Sequence, residues 1–155
     1  MSEHKKLGKV VNLFQISSVK DRQTKARIRN ALEKATGQSE GYVPIYGYHS
    51  ASKHGHQTIS NYAIGCFTGR NEAVIVPVDA RGGITAEAQF YSSRTITHLE
   101  RIGPNEWQIH TSHSPLPFTL TVPPYVPDIG ESHGQLPIDQ VDSAAVFQSL
   151  MESFL

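Results

Sequence analysis

Between residues 42 and 122 apolar side chains recur at every second position, in short runs separated by turn signals, and this period restricts the fold more than any other feature of the chain. "GYVPIYGY" (41–48) reads as a strand, with Pro44 suiting a sheet edge. "TISNYAIGCFT" (58–68), the turn "GRNE" and "AVIVPV" (73–78) follow, the last apolar enough to be buried on both faces. "ITAEAQFYS" (84–92) alternates, placing Ile84, Ala86, Ala88 and Phe90 on one side. "RTITHLERI" (94–102), "WQIHTSH" (107–113) and "PFTLTV" (117–122) complete the series. The pattern predicts an antiparallel meander of about seven or eight strands, strongly curved or partly closed into a barrel.

The flanks have helical spacing. Residues 18–35 open on Ser18 with Asp21 three positions on, carry Ile28, Ala31, Leu32 and Ala35 on one stripe, and stop at Gly37. "VVNLFQI" (10–16), ahead of that helix, reads as a short strand. At the other end Phe147, Leu150, Met151 and Phe154 form a stripe within 139–154, with Asp142 or Ser143 as caps. Residues 123–137 hold four prolines and two glycines and read as a surface connection. The 155 residues therefore predict one α+β domain: a basic strand-helix head (8–36), the meander (42–122), the connection (123–137) and a C-terminal amphipathic helix (139–154) packed on the sheet.

The formal net charge of zero conceals a division. Residues 1–34 contain nine Lys/Arg against three Asp/Glu, a surplus of +6, and residues 35–155 contain five against eleven, −6. A basic head either meets a polyanion or pairs with the acidic body, within one chain or between copies in a homo-oligomer. Lys20, Arg22, Lys25 and Arg29 are the head's candidate phosphate contacts. No apolar run approaches the ~20 residues of a bilayer span, the first fifteen residues lack a secretory apolar core, and the single cysteine, Cys66, fits a reducing compartment. The expectation is a cytoplasmic protein with no membrane partner, and Cys66 is expected as a small buried hydrophobe.

Chemistry concentrates in the histidines. "YGYHSASKHGHQTISNY" (46–62) places His49, His54 and His56 close together. In an extended segment His54 and His56 project to one side, as metal chelation requires. HxH before a strand is faintly similar to the metal motif of cupins, but Asn61 stands near the place of that family's carboxylate, and only His110, His113 or His133 remain to complete a site. No metal centre and no cofactor are expected.

The 94–113 hairpin, counted outward from a turn at 103–106, pairs Ile102 with Trp107, Arg101 with Gln108, Leu99 with His110 and Thr97 with Ser112. This register leaves His110 on the more polar face with Thr97, Ser112 and, diagonally, Arg101, a grouping suited to phosphodiester chemistry or to an ordinary polar sheet surface. His56-Gln57-Thr58 and His110-Thr111-Ser112 together resemble the paired His-x-Thr/Ser motif of the two-histidine phosphoesterases, although Gly55 departs from the apolar residue expected before the first histidine. The resemblance implies His56 and His110 as acid and base, with Thr58 and Ser112 on the phosphate.

Two function classes follow. One is a metal-independent phosphodiesterase or ribonuclease acting on RNA or a nucleotide. The other is a non-enzymatic binding module, monomeric or oligomeric, engaging a nucleotide, nucleic acid or protein through the basic head and the histidine-rich segment.

Overall fold

A computed structural model of the chain describes residues 2–128 and 134–155, with side chains from Val19 onward. Helix α1 (Ser2–Thr36) is followed by β1 (Val43–Lys53), β2 (His56–Phe67), β3 (Glu72–Val78), β4 (Gln89–Tyr91), β5 (Ile96–Gly103), β6 (Glu106–Thr111) and β7 (Phe118–Thr121). Two short strands, β8 (Tyr125–Val126) and β9 (Ile138–Asp139), pair with each other, and helix α2 (Val141–Ser153) ends the chain. The main sheet is antiparallel, runs β4-β3-β2-β1-β7-β6-β5, and is nearly closed into a barrel. The α+β meander expected from the alternating pattern is therefore present.

Both faces of the β1–β3 part of the sheet are covered, which explains the apolar run in β3. Ile45, Ile64, Ile75, Trp107, Ile109 and Leu120 point into the barrel and meet Phe147 and Met151 of α2. Tyr46, Ala63, Val74 and Val76 point outward and meet Ile28, Ala31 and Leu32 of α1 together with Val126 and Ile138. Each strand side has its own helix, so alternation along β3 leaves no polar face.

Residues 10–16 correct the expected first strand, since they lie within α1. A short apolar run does not distinguish strand from buried helix by period, and nothing between Gly8 and Gly37 breaks a helix. The helix stops at Gly37, whose φ of +72° favours glycine and whose N–H donates to the Glu33 carbonyl at 2.8 Å.

Pro44 is not at a sheet edge: β1 is the central strand. Its neighbour on one side is β2 along its whole length, but β7 meets it only at Tyr48 opposite Thr121. Nearby, Gln140 takes the place of a strand. Its Oε1 accepts from the Tyr46 N–H at 2.8 Å, and its Nε2 donates to the Tyr46 carbonyl at 2.8 Å and to the Pro123 carbonyl at 2.7 Å. Pro44, two residues earlier, directs its missing donor to the same side, where no ladder needs it.

The β5–β6 register also differs from the count made on sequence. Glu106 faces Gly103, and Ile102 is extruded in an irregularity, so Arg101 faces Trp107, Leu99 faces Ile109 and His98 faces His110. Ile102 is consequently exposed, whereas Leu99 enters the core. The 84–92 segment joins the sheet only as an isolated bridge at Ile84 and then at β4, so that Tyr91 is buried while Ile84 and Phe90 are exposed. α2 has Gln140 at its N-cap with no side-chain cap, in place of Asp142 or Ser143. Within 123–137, β8 is regular structure after all, and part of that connection, His133 included, lies outside the described residues.

Candidate functional site

The histidine-rich segment is the end of a β-hairpin. Lys53 pairs with His56 across a two-residue turn in which His54 and Gly55 both have positive φ, +54° and +78°. This is the turn geometry that matches the twist of two antiparallel strands, and glycine accepts it without strain. His54 therefore occupies the turn and not the strand, so the one-sided spacing with His56 needed for chelation does not form.

Beyond its base the hairpin has no strand beside it among the described residues. β3 pairs with β2 only as far as Asn61 opposite Val78, and β7 leaves β1 after Tyr48. Residues 49–60 thus extend as a two-stranded ribbon of about 17 Å, at ~3.3 Å per residue. Its side chains from Ala51 to Thr58 are exposed, and Gln57 Nε2 donates across it to Ser50 Oγ at 2.7 Å. Ile45 and Ile64 fix which side is which: His49, Lys53, His56, Thr58 and Ser60 continue the barrel-interior side, and Ser50, Ser52 and Gln57 continue the outer side. Residues 41–71 contain no Asp or Glu, although the chain has 14.

The structure does not bring His56 and His110 together. His110 lies between Ile109 and Thr111 on β6, and because Ile109 points into the barrel, His110 points out. β1 and β7 separate the two strands, three spacings or about 14 Å along the sheet. Thr58 accompanies His56 on the interior side, whereas Ser112 and Thr97 are exposed near His110, Thr97 inside the irregularity between Ile96 and His98. Arg101 shares the face of Leu99 and not that of His110. Its guanidinium lies 5.5 Å from the Trp107 ring, donates to the Gly103 and Pro104 carbonyls and approaches Glu152 of α2 at 3.7 Å. What does sit beside His110 is His98, with ring centroids 5.3 Å apart. The sequence count missed this pairing because it gave the turn no extra residue, and no local signal marks Ile102 as the extruded position.

On the basic helix, Lys20 and Lys25 are engaged within the fold. Lys20 Nζ meets the Asp128 carboxylate at 2.9 Å, and Lys25 meets Asp21 at 3.0 Å. Asp21 also accepts from the Asp139 N–H at 2.8 Å. Arg22 and Arg29 are exposed. Lys20 with Asp128 is a pairing of head with body, one of the two outcomes the charge division allowed.

A cavity of about 470 Å³ lies at the ribbon's base, lined among others by Ser60, Asn61, Tyr62, Asp79 and Gly134. Asn61, Gly134 and Asp79 in its lining are already matched. Tyr46 Oη donates to Asn61 Oδ1 and accepts from the Leu136 N–H, and Asn61 Nδ2 donates to the Gly134 carbonyl. The Gly83 and Arg81 N–H groups hold the Asp79 carboxyl below its ordinary range. No three metal-type side chains come within ligating distance of one another among the described residues.

Cys66 is buried in the barrel, and burial pushes its thiol up to about 12 from an ordinary 9.0. The thiolate is the reactive form, so at pH 8 a thiol reagent should react with the folded protein about a thousandfold more slowly than with the unfolded chain. Rapid, stoichiometric labelling of the native protein would place Cys66 at the surface.

No protein-family model and no curated protein matches the chain. No helix among the described residues is long and apolar enough to cross a membrane.

Proposed function

We propose that the chain is a non-enzymatic binding module that engages a nucleic acid through the 49–60 ribbon. The single observation that carries this reading is a projecting two-stranded ribbon, open along both edges among the described residues and free of carboxylates, in a chain whose body is otherwise acidic. Lys53 supplies a fixed positive charge, and His49, His54, His56, Gln57, Thr58, Ser50 and Ser52 supply hydrogen-bonding groups that suit phosphate oxygens and base edges. Two-stranded ribbons have the width to enter a duplex groove. The phosphodiesterase reading needs one phosphate held between His56 and His110, and the placement of these residues on opposite faces of the sheet favours the binding reading over it.

Replacing Lys53, His54 and His56 together by Gln should weaken binding of a short oligonucleotide about tenfold, or ~1.4 kcal/mol, and flatten its salt dependence by ~0.7–0.9 log unit for the lost lysine contact. Replacing Arg22, Lys25 and Arg29 by Gln should weaken it less, since Lys25 already has a carboxylate partner. Fluorescence anisotropy with duplex DNA and single-stranded RNA at two salt concentrations reads both effects. Unchanged affinity in the ribbon variant overturns the proposal, and RNA cleavage abolished equally by His56→Ala and His110→Ala restores the enzyme.

A further inference from the structure

We propose that His98 and His110 form a two-histidine site for one divalent transition-metal ion of the imidazole-favouring kind, such as Cu²⁺ or Ni²⁺, held across β5 and β6 on the outer face of the barrel. The site is independent of the ribbon and of any nucleic-acid binding.

Three observations carry it. The residues are direct cross-strand partners, so both side chains leave the sheet on one side at neighbouring positions. Their ring centroids are 5.3 Å apart with the planes tilted by 54°. Two nitrogens bound to one ion at ~2.0–2.1 Å stand roughly 3 Å apart, a separation within reach of rings this close by rotation about the Cα–Cβ and Cβ–Cγ bonds alone. Finally, the strands are held on the turn side of the pair: Leu99 opposite Ile109 comes next and Arg101 opposite Trp107 two pairs further on, with Leu99, Ile109 and Trp107 buried. The backbone spacing of the two imidazoles is therefore set before the ion arrives.

Imidazole selects late first-row divalent ions over magnesium or calcium, with Cu²⁺ binding tightest in the series. Two protein ligands are at hand among the described residues, so water fills the remaining positions and the ion exchanges readily. Glu100, exposed on the same outer face two residues from His98, is near enough along the strand to bond one of those waters. The ribbon's histidines do not form a rival chelate. His49 faces Ser60, His56 faces Lys53, and His54 occupies the turn.

Titration of the whole protein with Cu²⁺ or Ni²⁺ chloride, followed by ¹⁵N-resolved NMR and by calorimetry, tests the site. Paramagnetic broadening should begin at residues 97–99 and 109–111 with one ion per chain. His98→Gln and His110→Gln should each lower affinity about tenfold or more, because the second ligation is intramolecular and either loss leaves a single imidazole, and the double variant should bind no ion at this position. The His49→Gln/His54→Gln/His56→Gln variant should bind as the parent does. Circular dichroism confirms that each variant is folded, and His98→Asn serves if His98→Gln is not. Broadening centred on residues 49–56, or a His98→Gln or His110→Gln variant that binds the ion as the parent does, overturns the proposal.

Discussion

A Gln140→Ala protein should lose about 3–5 kcal/mol of stability, an effect far larger than truncating one polar side chain usually causes. Gln140 is buried, and its amide satisfies three backbone groups: the Tyr46 N–H, the Tyr46 carbonyl and the Pro123 carbonyl. Removing it leaves all three without a partner inside the fold, at ~1–3 kcal/mol each before water relieves part of the cost. Gln140→Glu separates orientation from volume. It keeps an acceptor for the Tyr46 N–H but sets a second oxygen against two carbonyl oxygens, so the loss should be at least as large. Gln148→Ala, whose amide reaches Glu152 at the surface, should change stability by less than ~0.5 kcal/mol. Urea midpoints at unchanged slope measure all three, and a loss under ~1 kcal/mol for Gln140→Ala would mean that β1 finds other partners on that side.

That residue also marks how far the sequence could be read. Strand positions followed from alternation because each depends on local pattern alone: 73–78, 96–102, 107–111 and 118–121, nearly all of β3, β5, β6 and β7, lie inside the runs that the period picked out. The C-terminal stripe followed for the same reason, since Phe147, Leu150 and Met151 are three of the four residues it buries, Ala144 being the other. Properties that depend on distant chain did not follow. Pro44 reads as an edge residue unless Gln140, 96 positions away, is known to stand where a strand would. The apolar run at 10–16 suits strand or helix, and continuity with the helix after it decides the matter.

The candidate site was legible to the same extent. Crowding of His49, His54 and His56 was visible, and a hairpin turn at His54-Gly55 is what opened them into a ribbon. His56 and His110 share a motif but not a face, because sharing a face is set by strand parity against the core. One extruded residue, Ile102, exchanged Leu99 for His98 opposite His110 and so changed which histidine has a neighbour. A period of two makes every such slip move a side chain to the other side of the sheet.

Phe147→Ala should cost about 3–5 kcal/mol, the range for deleting a buried phenyl group. α2 is short, has no side-chain cap at its start and is weakly charged, so its stability comes from the face it buries and not from its own turns. That face enters the barrel. Phe147 and Met151 are fully buried, Leu150 nearly so, and Phe147 borders the same cleft as Trp107, Val122 and Pro124 at the barrel end. Shrinking Phe147 removes the side chain that joins the helix to the β6–β7 end of the core, and the space it leaves cannot close, because Trp107 and Leu120 are held by their strands. The ion pair between Arg101 and Glu152 is exposed at 3.7 Å and cannot compensate, being worth under ~1 kcal/mol. Val141→Ala, on the solvent side of the same helix, should be nearly neutral. Since helix and barrel share one core, Trp107 fluorescence and far-ultraviolet circular dichroism should report one transition in the parent and in the Phe147→Ala variant alike. A Trp107 change that precedes the loss of strand signal would show α2 to be a separable arm, docked on the barrel and not part of it.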